Sequence, residues 1–250
     1  MKNHKKTNIP NKSQYYMYGN HAVLAAIQNK NRTIKQLYCL PKQAEEFKNK
    51  FNHLNIEIVQ NDFITKQIGK NLPHQGVIAL VDTVFKKNIE DLDFNEGKDR
   101  VAILDQISDP QNIGAIIRSA AAFGITKMIL PSDNCPDENA TIAKTACGCL
   151  ELVQVAKVTN LKSAIEKLKK MNFWISGLDG KGQENMDNII DVEKLAIIIG
   201  SEGKGMRRLT EKACDFLVRI PISSNVESLN ASNAAGIIFY CLAGPKNNSE

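Results

Sequence analysis

The chain is predicted to be an α/β protein with a mostly parallel sheet, and two observations carry this prediction. After about residue 100, short continuous apolar runs alternate with segments whose apolar residues recur every three or four positions. Continuous apolar runs are typical of parallel strands buried on both faces, and the intervening segments are typical of the helices that cover them. The 250 residues are 43% hydrophobic and 24% charged, which suits a soluble protein with a sizeable core.

Six strands and five helices are predicted in this larger part, residues 99–246. The predicted strands are VAILDQI, KMILP, LVQVAKV, FWISGLD, LAIIIGS and FLVRIPI. The predicted helices are NIGAIIRSAAAFG, TIAKTACG, NLKSAIEKLKKM, RLTEKACD and SLNASNAAGIIFYCLA. Ligands of such sheets bind outside the carboxyl ends of the strands, so the loops that follow the strands are the candidate binding loops.

A smaller α/β domain is predicted over residues 14–85. Its predicted helices are HAVLAAIQN, AEEFKNKFNHL and DFITKQIG, and its predicted strands are IKQLYCL, IEIVQ and GVIALVDTV. Gly19 and Asn20 are expected to cap the first helix, and Gly69 to end the third. Residues 1–13 are expected to form a flexible basic tail, and the polar, weakly periodic residues 86–98 a linker.

Charge and composition restrict the functional classes. The net charge is +5, and residues 1–85 carry 12 Lys and Arg against 5 Asp and Glu. A basic front third indicates an anionic partner such as RNA, although a solvated lysine-rich tail explains the charge equally well. The absence of a secretory signal and of any bilayer-length apolar run predicts a cytoplasmic protein without membrane contact. The six scattered cysteines form no zinc-binding set, so we expect reduced thiols and no metal.

The stretch DPQNIGAIIRSAAAFG, residues 109–124, is the first candidate site. It places Asn112, Gly114 and Arg118 on the first turns of an apolar helix that follows a strand. The free N–H groups and the positive end of a helix favour anions there. A guanidinium always keeps its charge, so Arg118 requires an anionic or hydrogen-bonding partner. Taken alone, a structural ion pair explains this arginine better than a ligand does.

Two further stretches follow strands later in the chain. IIIGSEGKGMRR, residues 197–208, places Glu202 among glycines that permit close backbone approach to a ligand. Its spacing is neither that of a P-loop nor that of a dinucleotide-binding Rossmann motif, and a simple strand-to-helix turn is the alternative. IPISSNVESLNASNAAGIIFY, residues 220–240, holds more Ser and Asn than helix capping requires.

Together, in this order, the three stretches resemble the SpoU (TrmH-like) RNA ribose methyltransferases of the SPOUT class over residues 100–243. The matching positions are Asn112, Gly114 and Arg118 in the first motif, Gly200, Glu202, Gly203, Gly205 and Met206 in the second, and Pro221, Ser228, Leu229, Asn230 and Gly236 in the third. Each motif alone is weak, but three linked motifs with this spacing are highly specific.

The front third resembles the ribosomal-protein-L30e-like substrate-binding domain of some family members. YGNHAVLAAI and HQGVIALV carry this match, which points to the bacterial subgroup that methylates guanosine ribose in 23S rRNA. The sequence departs from the family pattern at Asn20, Ala231 and Asn233, where the family has more apolar residues.

The resemblance implies a C-terminal trefoil knot, a homodimer with an RNA site built across two protomers, and S-adenosylmethionine as cofactor. The implied cofactor contacts are Gly200, Gly205, Ile220 and Leu229, and the implied catalytic set is Arg118, Asn112, Glu202, Asn230 and Ser228. We expect Arg118 to bind the phosphate beside the target ribose and to be fixed by Asn112, Glu202 and Asn230. Ser228 is expected either to position the ribose or to cap the last helix.

Two alternatives to an rRNA methyltransferase stay open. One is a tRNA ribose methyltransferase of the same family. The other is a non-catalytic RNA-binding or ribosome-assembly protein that retains the fold, which the intact Asn112, Arg118, Glu202 and Asn230 disfavour.

Overall fold

A computed structural model describes residues 10–11, 13–51 and 54–243. Most of the expected basic tail and the end of the expected second domain, residues 244–246, lie outside the described residues. The chain divides into two compact units, Met1–Val84 and Phe85–Glu250. No helix in the described ranges is long and apolar enough to cross a membrane.

The first unit is a four-stranded mixed sheet with three helices. Its strands are β1 (Gln14–Tyr18), β2 (Ile34–Cys39), β3 (Ile56–Ile58) and β4 (Val77–Asp82), and its helices are α1 (Asn20–Gln28), α2 (Pro41–Lys50) and α3 (Asn61–Ile68). The strand order is β1-β4-β2-β3. β4 runs antiparallel to β1 and β2, whereas β2 and β3 are parallel.

Local sequence explains most of this unit. Gly69 has φ of +101° and ends α3, as predicted. Gly19 is the N-cap residue of α1, as predicted, whereas Asn20 is already the first helical residue, and its N–H donates to Gln75 Oε1 at 3.0 Å. His74 Nδ1 accepts the Gly76 N–H at 3.0 Å, which fixes the turn into β4. β1 was not predicted, although its residues Tyr16–Tyr18 are buried.

The second unit is built on a six-stranded, entirely parallel sheet, so the predicted sheet type is confirmed. Its strands are β5 (Asp99–Leu104), β6 (Lys127–Pro131), β7 (Gln154–Val158), β8 (Trp174–Leu178), β9 (Lys194–Ile199) and β10 (Phe216–Val218). Their order is β10-β8-β9-β5-β6-β7. The helices are α4 (Pro110–Ala122), α5 (Ala140–Ala146), α6 (Leu161–Lys170), α7 (Asp187–Ile190), α8 (Arg208–Glu211) and α9 (Ala231–Ala243).

Close helix packing places the first motif beside the third. α4 packs against both α5 and α9. A Cβ on Gly114 would lie 2.7 Å from Thr145 Cβ and 2.8 Å from the Ile142 carbonyl oxygen, so glycine is required for the α4–α5 contact. Between α4 and α9, the Phe123 and Tyr240 rings meet edge to face with centroids 5.7 Å apart.

Three segments differ from the prediction. The expected linker, residues 86–98, packs into the second unit: the Lys86 N–H donates to the Val155 carbonyl at 2.8 Å, and Ile89 and Leu92 are buried. The segment is polar overall, but its few apolar residues suffice to anchor it. The predicted helix at RLTEKACD is a single turn, α8, and α7 was not predicted.

Candidate functional site

The three motifs lie at the carboxyl ends of β5, β9 and β10. Because the strands are parallel, these ends lie along the same edge of the sheet. The first motif runs from Asp105 into α4. We call residues 200–207, after β9, the glycine loop, and residues 219–230, after β10, the third loop. This edge is where parallel sheets bind ligands, as the sequence predicted.

A side-chain hydrogen bond joins the first motif to the third. Asn230 Nδ2 donates to Asn112 Oδ1 at 3.1 Å, across 118 residues of sequence. Asn230 Oδ1 accepts from the Ser232 N–H at 2.9 Å and from Ser232 Oγ at 2.6 Å, so Asn230 also caps α9. Both ends of the Asn230 amide are therefore used, while Asn112 Nδ2 has no hydrogen-bond partner among the described residues.

Arg118 is exposed on α4 and lacks the partners that the sequence predicted for it. Among the described residues it makes no hydrogen bond or ion pair with Glu202, Asn112 or Asn230. Its electrostatic neighbour is Cys149: burial raises the pKa of this thiol, and the positive charge of Arg118 opposes part of that effect. The expected network around Arg118 is thus not formed within one chain, which leaves its guanidinium available for an external anion.

The glycine loop is a tight backbone turn. The Ser201 N–H donates to the Gly205 carbonyl at 3.1 Å, and the Gly205 N–H donates back to the Ser201 carbonyl at 2.9 Å. A Cβ on Gly200 would lie 2.4 Å from the Gly205 carbonyl carbon. Gly203 and Gly205 have φ of +78° and +65°, and a Cβ on either would meet open space. The loop therefore presents accessible backbone groups, with Glu202 exposed near its tip.

The third loop lies mostly in solvent. Residues 221–228 are exposed, whereas Ile220 and Leu229 are half-buried. Ser228 is exposed and does not cap α9, because Asn230 does; the capping interpretation of Ser228 is wrong. The predicted cofactor residues Gly200, Gly205, Ile220 and Leu229 lie on the glycine loop and the third loop.

Sequence reasoning missed the residues that attach the glycine loop to β5. The Asp105 side chain is fully buried, with Oδ2 accepting the Arg207 backbone N–H at 2.9 Å and Oδ1 accepting Arg207 Nε at 2.7 Å. Gln106, at a left-handed φ of +63°, donates Nε2 to the Gly205 carbonyl at 3.1 Å. An acidic residue directly after an apolar strand was the available signal, but its partner lies 102 residues away.

No cluster of three or more His, Cys, Asp or Glu side chains suited to a metal ion occurs in the described part of the chain. The six cysteines are unpaired. Burial raises the pKa of Cys135 to about 11 and that of Cys214 to about 12, so these thiols stay protonated at neutral pH.

Comparisons with known proteins agree with the motif assignment. Residues 99–240 match the model of the SpoU rRNA Methylase family, and residues 16–85 match the model described as RNA 2'-O ribose methyltransferase substrate binding. The 23S rRNA (guanosine-2'-O-)-methyltransferase RlmB of Pseudomonas aeruginosa is 34% identical over 90% of this chain and 94% of its own length. The protein of the same name from Neisseria meningitidis is 37% identical over 91% of this chain and 94% of its own length.

Solved structures share the fold at lower identity. The SpoU methyltransferase AviRb from Streptomyces viridochromogenes, in complex with AdoMet, aligns with a TM-score of 0.81 and 19% identity over 92% of this chain and 89% of that one. An rRNA methyltransferase from Sinorhizobium meliloti aligns with a TM-score of 0.77 and 21% identity over 92% of this chain and 86% of that one. The motif order and the site geometry agree with these matches, which extend over most of the chain. The chain therefore belongs to the SpoU rRNA methylase family.

Proposed function

We propose that the protein transfers a methyl group from S-adenosylmethionine to the ribose 2′-oxygen of a guanosine in 23S rRNA. The observation that carries this proposal is the Asn230–Asn112 hydrogen bond, which assembles the first and third family motifs beside the glycine loop. The relatives from Pseudomonas aeruginosa and Neisseria meningitidis, which align over nine tenths of the chain, carry the name of that reaction, which favours rRNA over tRNA.

The loops at this edge suit a cofactor held mainly through backbone groups. The glycine loop offers exposed peptide groups around Gly203, where no neighbouring atom would meet a Cβ, and the third loop exposes residues 221–228. Ile220 and Leu229, both half-buried, supply apolar surface next to those peptides. This combination fits a ligand with a purine ring and polar hydroxyl groups.

S-adenosylmethionine, when bound, supplies an electrophilic methyl group on a sulfonium. Arg118 binds the phosphate beside the target ribose and stabilises the negative charge that develops on the 2′-oxygen. Its guanidinium does not take the proton, because it stays charged at any relevant pH. Asn112 Nδ2, which has no partner among the described residues, donates a hydrogen bond to the nucleotide, and the Asn230 amide holds Asn112 in place.

We further propose the features that the family resemblance implied. Support for a trefoil knot comes from the end of β10, which passes close to residues 179–184. The Asp179 N–H donates to the Val218 carbonyl at 3.0 Å, and a Cβ on Gly182 would lie 2.6 Å from the Leu217 carbonyl oxygen. The first unit acts as a ribosomal-protein-L30e-like RNA-binding domain, and the protein works in the cytoplasm.

A homodimer is also proposed, and apolar exposure on α9 supports it. Tyr240 is 67% exposed and Ile237 is 37% exposed, although the opposite side of α9 is buried at Ala235, Ile238 and Phe239. Both lie on the helix that packs against α4, which carries Arg118. Covering this surface with a second copy places the Arg118 helix at the interface, consistent with an RNA site shared by two protomers.

The test is methyl transfer from labelled S-adenosylmethionine to unmethylated, in vitro transcribed 23S rRNA, with tRNA transcripts as competing substrates. We expect label on a ribose of the rRNA only. Label on tRNA alone would move the assignment to the tRNA alternative. A purified protein that binds no S-adenosylmethionine in calorimetry would favour the non-catalytic scaffold.

Arg118 is the first residue to replace in that assay. We expect Arg118→Ala to lower the single-turnover rate by about 10²–10³-fold, the usual effect of removing a group that stabilises an oxyanion. Arg118→Lys keeps the charge but loses the planar fork, so its rate also falls strongly. The affinity for S-adenosylmethionine and the unfolding midpoint serve as controls and stay near wild type, because Arg118 is exposed. An Arg118→Lys variant with most of the wild-type rate would refute the proposal that Arg118 binds the phosphate through its planar guanidinium.

A further inference from the structure

Arg207 is fixed in a way that an exposed arginine on a loop seldom is. Its side chain is 42% exposed, yet both its backbone N–H and its Nε donate to the two oxygens of one carboxylate, that of Asp105. The Asp105 side chain is 0% exposed. Exposed ion pairs are usually mobile, whereas here the backbone bond fixes the position of Arg207 relative to Asp105 and the Nε bond directs its side chain toward the same buried carboxylate.

The terminal nitrogens of the Arg207 guanidinium make no hydrogen bond among the described residues. Nε carries one of its five N–H groups. The four on the terminal nitrogens have no hydrogen-bond or ion-pair partner among the described residues. The neighbouring cations Lys204 and Arg208 are likewise exposed. The carboxylate thus anchors one side of the fork and leaves the other side in solvent.

The location of the Arg207 guanidinium indicates which ligand it can bind. Arg207 ends the glycine loop, and Gln106, the residue after Asp105, bonds to the Gly205 carbonyl of the same loop at 3.1 Å. The fork therefore lies at the sheet edge that holds Asn112 and Asn230. Four oriented N–H groups match the oxygens of a phosphate, the anion that recurs along an RNA backbone.

We infer that Arg207, oriented by the buried Asp105 carboxylate, binds a backbone phosphate of the RNA substrate at the glycine loop. The inference rests on the proposed function and adds a substrate contact at a residue that is not among the matching family positions. Preorganisation is its physical basis: little side-chain entropy is lost on binding, because the side chain is already held. The competing explanation is that the pair only fastens the glycine loop, in which case cofactor affinity rather than RNA affinity depends on it.

Arg208 provides a matched control, because it is exposed, adjacent and of equal charge but has no carboxylate anchor among the described residues. Binding of in vitro transcribed 23S rRNA is measured over a salt series for Arg207→Gln and Arg208→Gln. We expect Arg207→Gln to weaken binding roughly tenfold and to reduce the slope of log K against log salt by about 1. Arg208→Gln is expected to change both much less. Equal effects from the two variants would overturn the inference.

Arg207→Gln also leaves the Asp105 carboxylate buried without its cation, which can unfold the protein. The double variant Asp105→Asn/Arg207→Gln removes that charge and keeps a hydrogen-bonding pair, so it carries the test if the single variant fails to fold. Calorimetry with S-adenosylmethionine separates the explanations. Near-normal cofactor affinity with weakened RNA binding supports a phosphate contact, and the reverse result overturns it. Wild-type methyl transfer, measured in parallel, shows whether the proposed function stands independently.

Discussion

The two ends of the six-stranded parallel sheet use charged residues in opposite ways. At the amino end, Lys127 Nζ and Asp99 Oδ1 form a 2.7 Å ion pair whose side chains are 3% and 2% exposed. Arg100 beside them turns inward and donates to the Glu193 and Ile190 carbonyls at 2.7 and 3.0 Å. At the carboxyl end, Arg118 and Glu202 are exposed and unpartnered among the described residues.

The difference separates structural charges from those available to a ligand. Burial lowers the pKa of Arg100, and the nearby Asp99 and Asp191 charges oppose this effect only in part, while two backbone carbonyls accept from its terminal nitrogens. Asp99 is satisfied by Lys127 and by the backbone N–H groups of Asn95 and Arg100. At the carboxyl end, the buried Asp105 carboxylate orients a partly exposed arginine. Substitutions at the amino end should therefore reduce stability, and those at the carboxyl end should reduce activity.

The largest stability effect is expected at the amino end. Lys127→Met leaves Asp99 as a buried charge without its cation, and we expect a loss of about 3 kcal/mol in the free energy of unfolding, measured by urea denaturation. The double variant Asp99→Asn/Lys127→Met should recover part of the loss. Lys162→Met, which breaks the exposed pair with Glu166, is the control and should cost under about 0.5 kcal/mol. A fully stable Lys127→Met variant would contradict the structural role of the pair.

A smaller stability effect with a larger functional one is expected at Gly200. In Gly200→Ala, the added Cβ would lie 2.4 Å from the Gly205 carbonyl carbon, so the glycine loop must open. We expect a stability loss of about 1–3 kcal/mol and at least a roughly tenfold loss of S-adenosylmethionine affinity in calorimetry. Gly180→Ala is the matched control, because a Cβ there meets nothing within 4 Å. Unchanged cofactor binding in Gly200→Ala would remove the glycine loop from the cofactor site.

The sequence predicted well the secondary-structure elements that depend on a local hydrophobic pattern. The six strands of the second unit follow from continuous apolar runs, and the central strands β5, β6 and β9 are buried almost throughout. β1 escaped prediction because QYYMY is short and adjoins a polar tail, although tertiary packing buries Tyr16, Met17 and Tyr18. Residues 86–98 were taken for a linker because Ile89 and Leu92 are too few to give a period, yet both are buried against the second unit.

The contacts of the candidate site likewise fall into those that the sequence predicted and those that it did not. The motif order placed Asn112 and Asn230 together, and the structure joins them. The Asp105–Arg207 pair could not be predicted, because Asp105 stands out after an apolar strand but its partner lies 102 positions further along the chain. The predicted contacts of Arg118 with Asn112, Glu202 and Asn230 are not formed among the described residues, because Arg118 lies at an exposed position of α4 and Asn230 bonds to Asn112 instead.

The smallest effect is expected for the asparagine pair, and it tests how sharply the two ends differ. Asn230→Ala removes both the bond to Asn112 and the cap of α9, so we expect a stability loss of about 2 kcal/mol. Asn112→Ala removes only the shared bond and should cost about 1 kcal/mol or less, while lowering methyl transfer at least as strongly as Asn230→Ala. Urea denaturation and single-turnover assays on both variants and their double measure the coupling. If Asn112→Ala proved the more destabilising variant while keeping full activity, Asn112 would be a structural residue, and the carboxyl end would resemble the amino end after all.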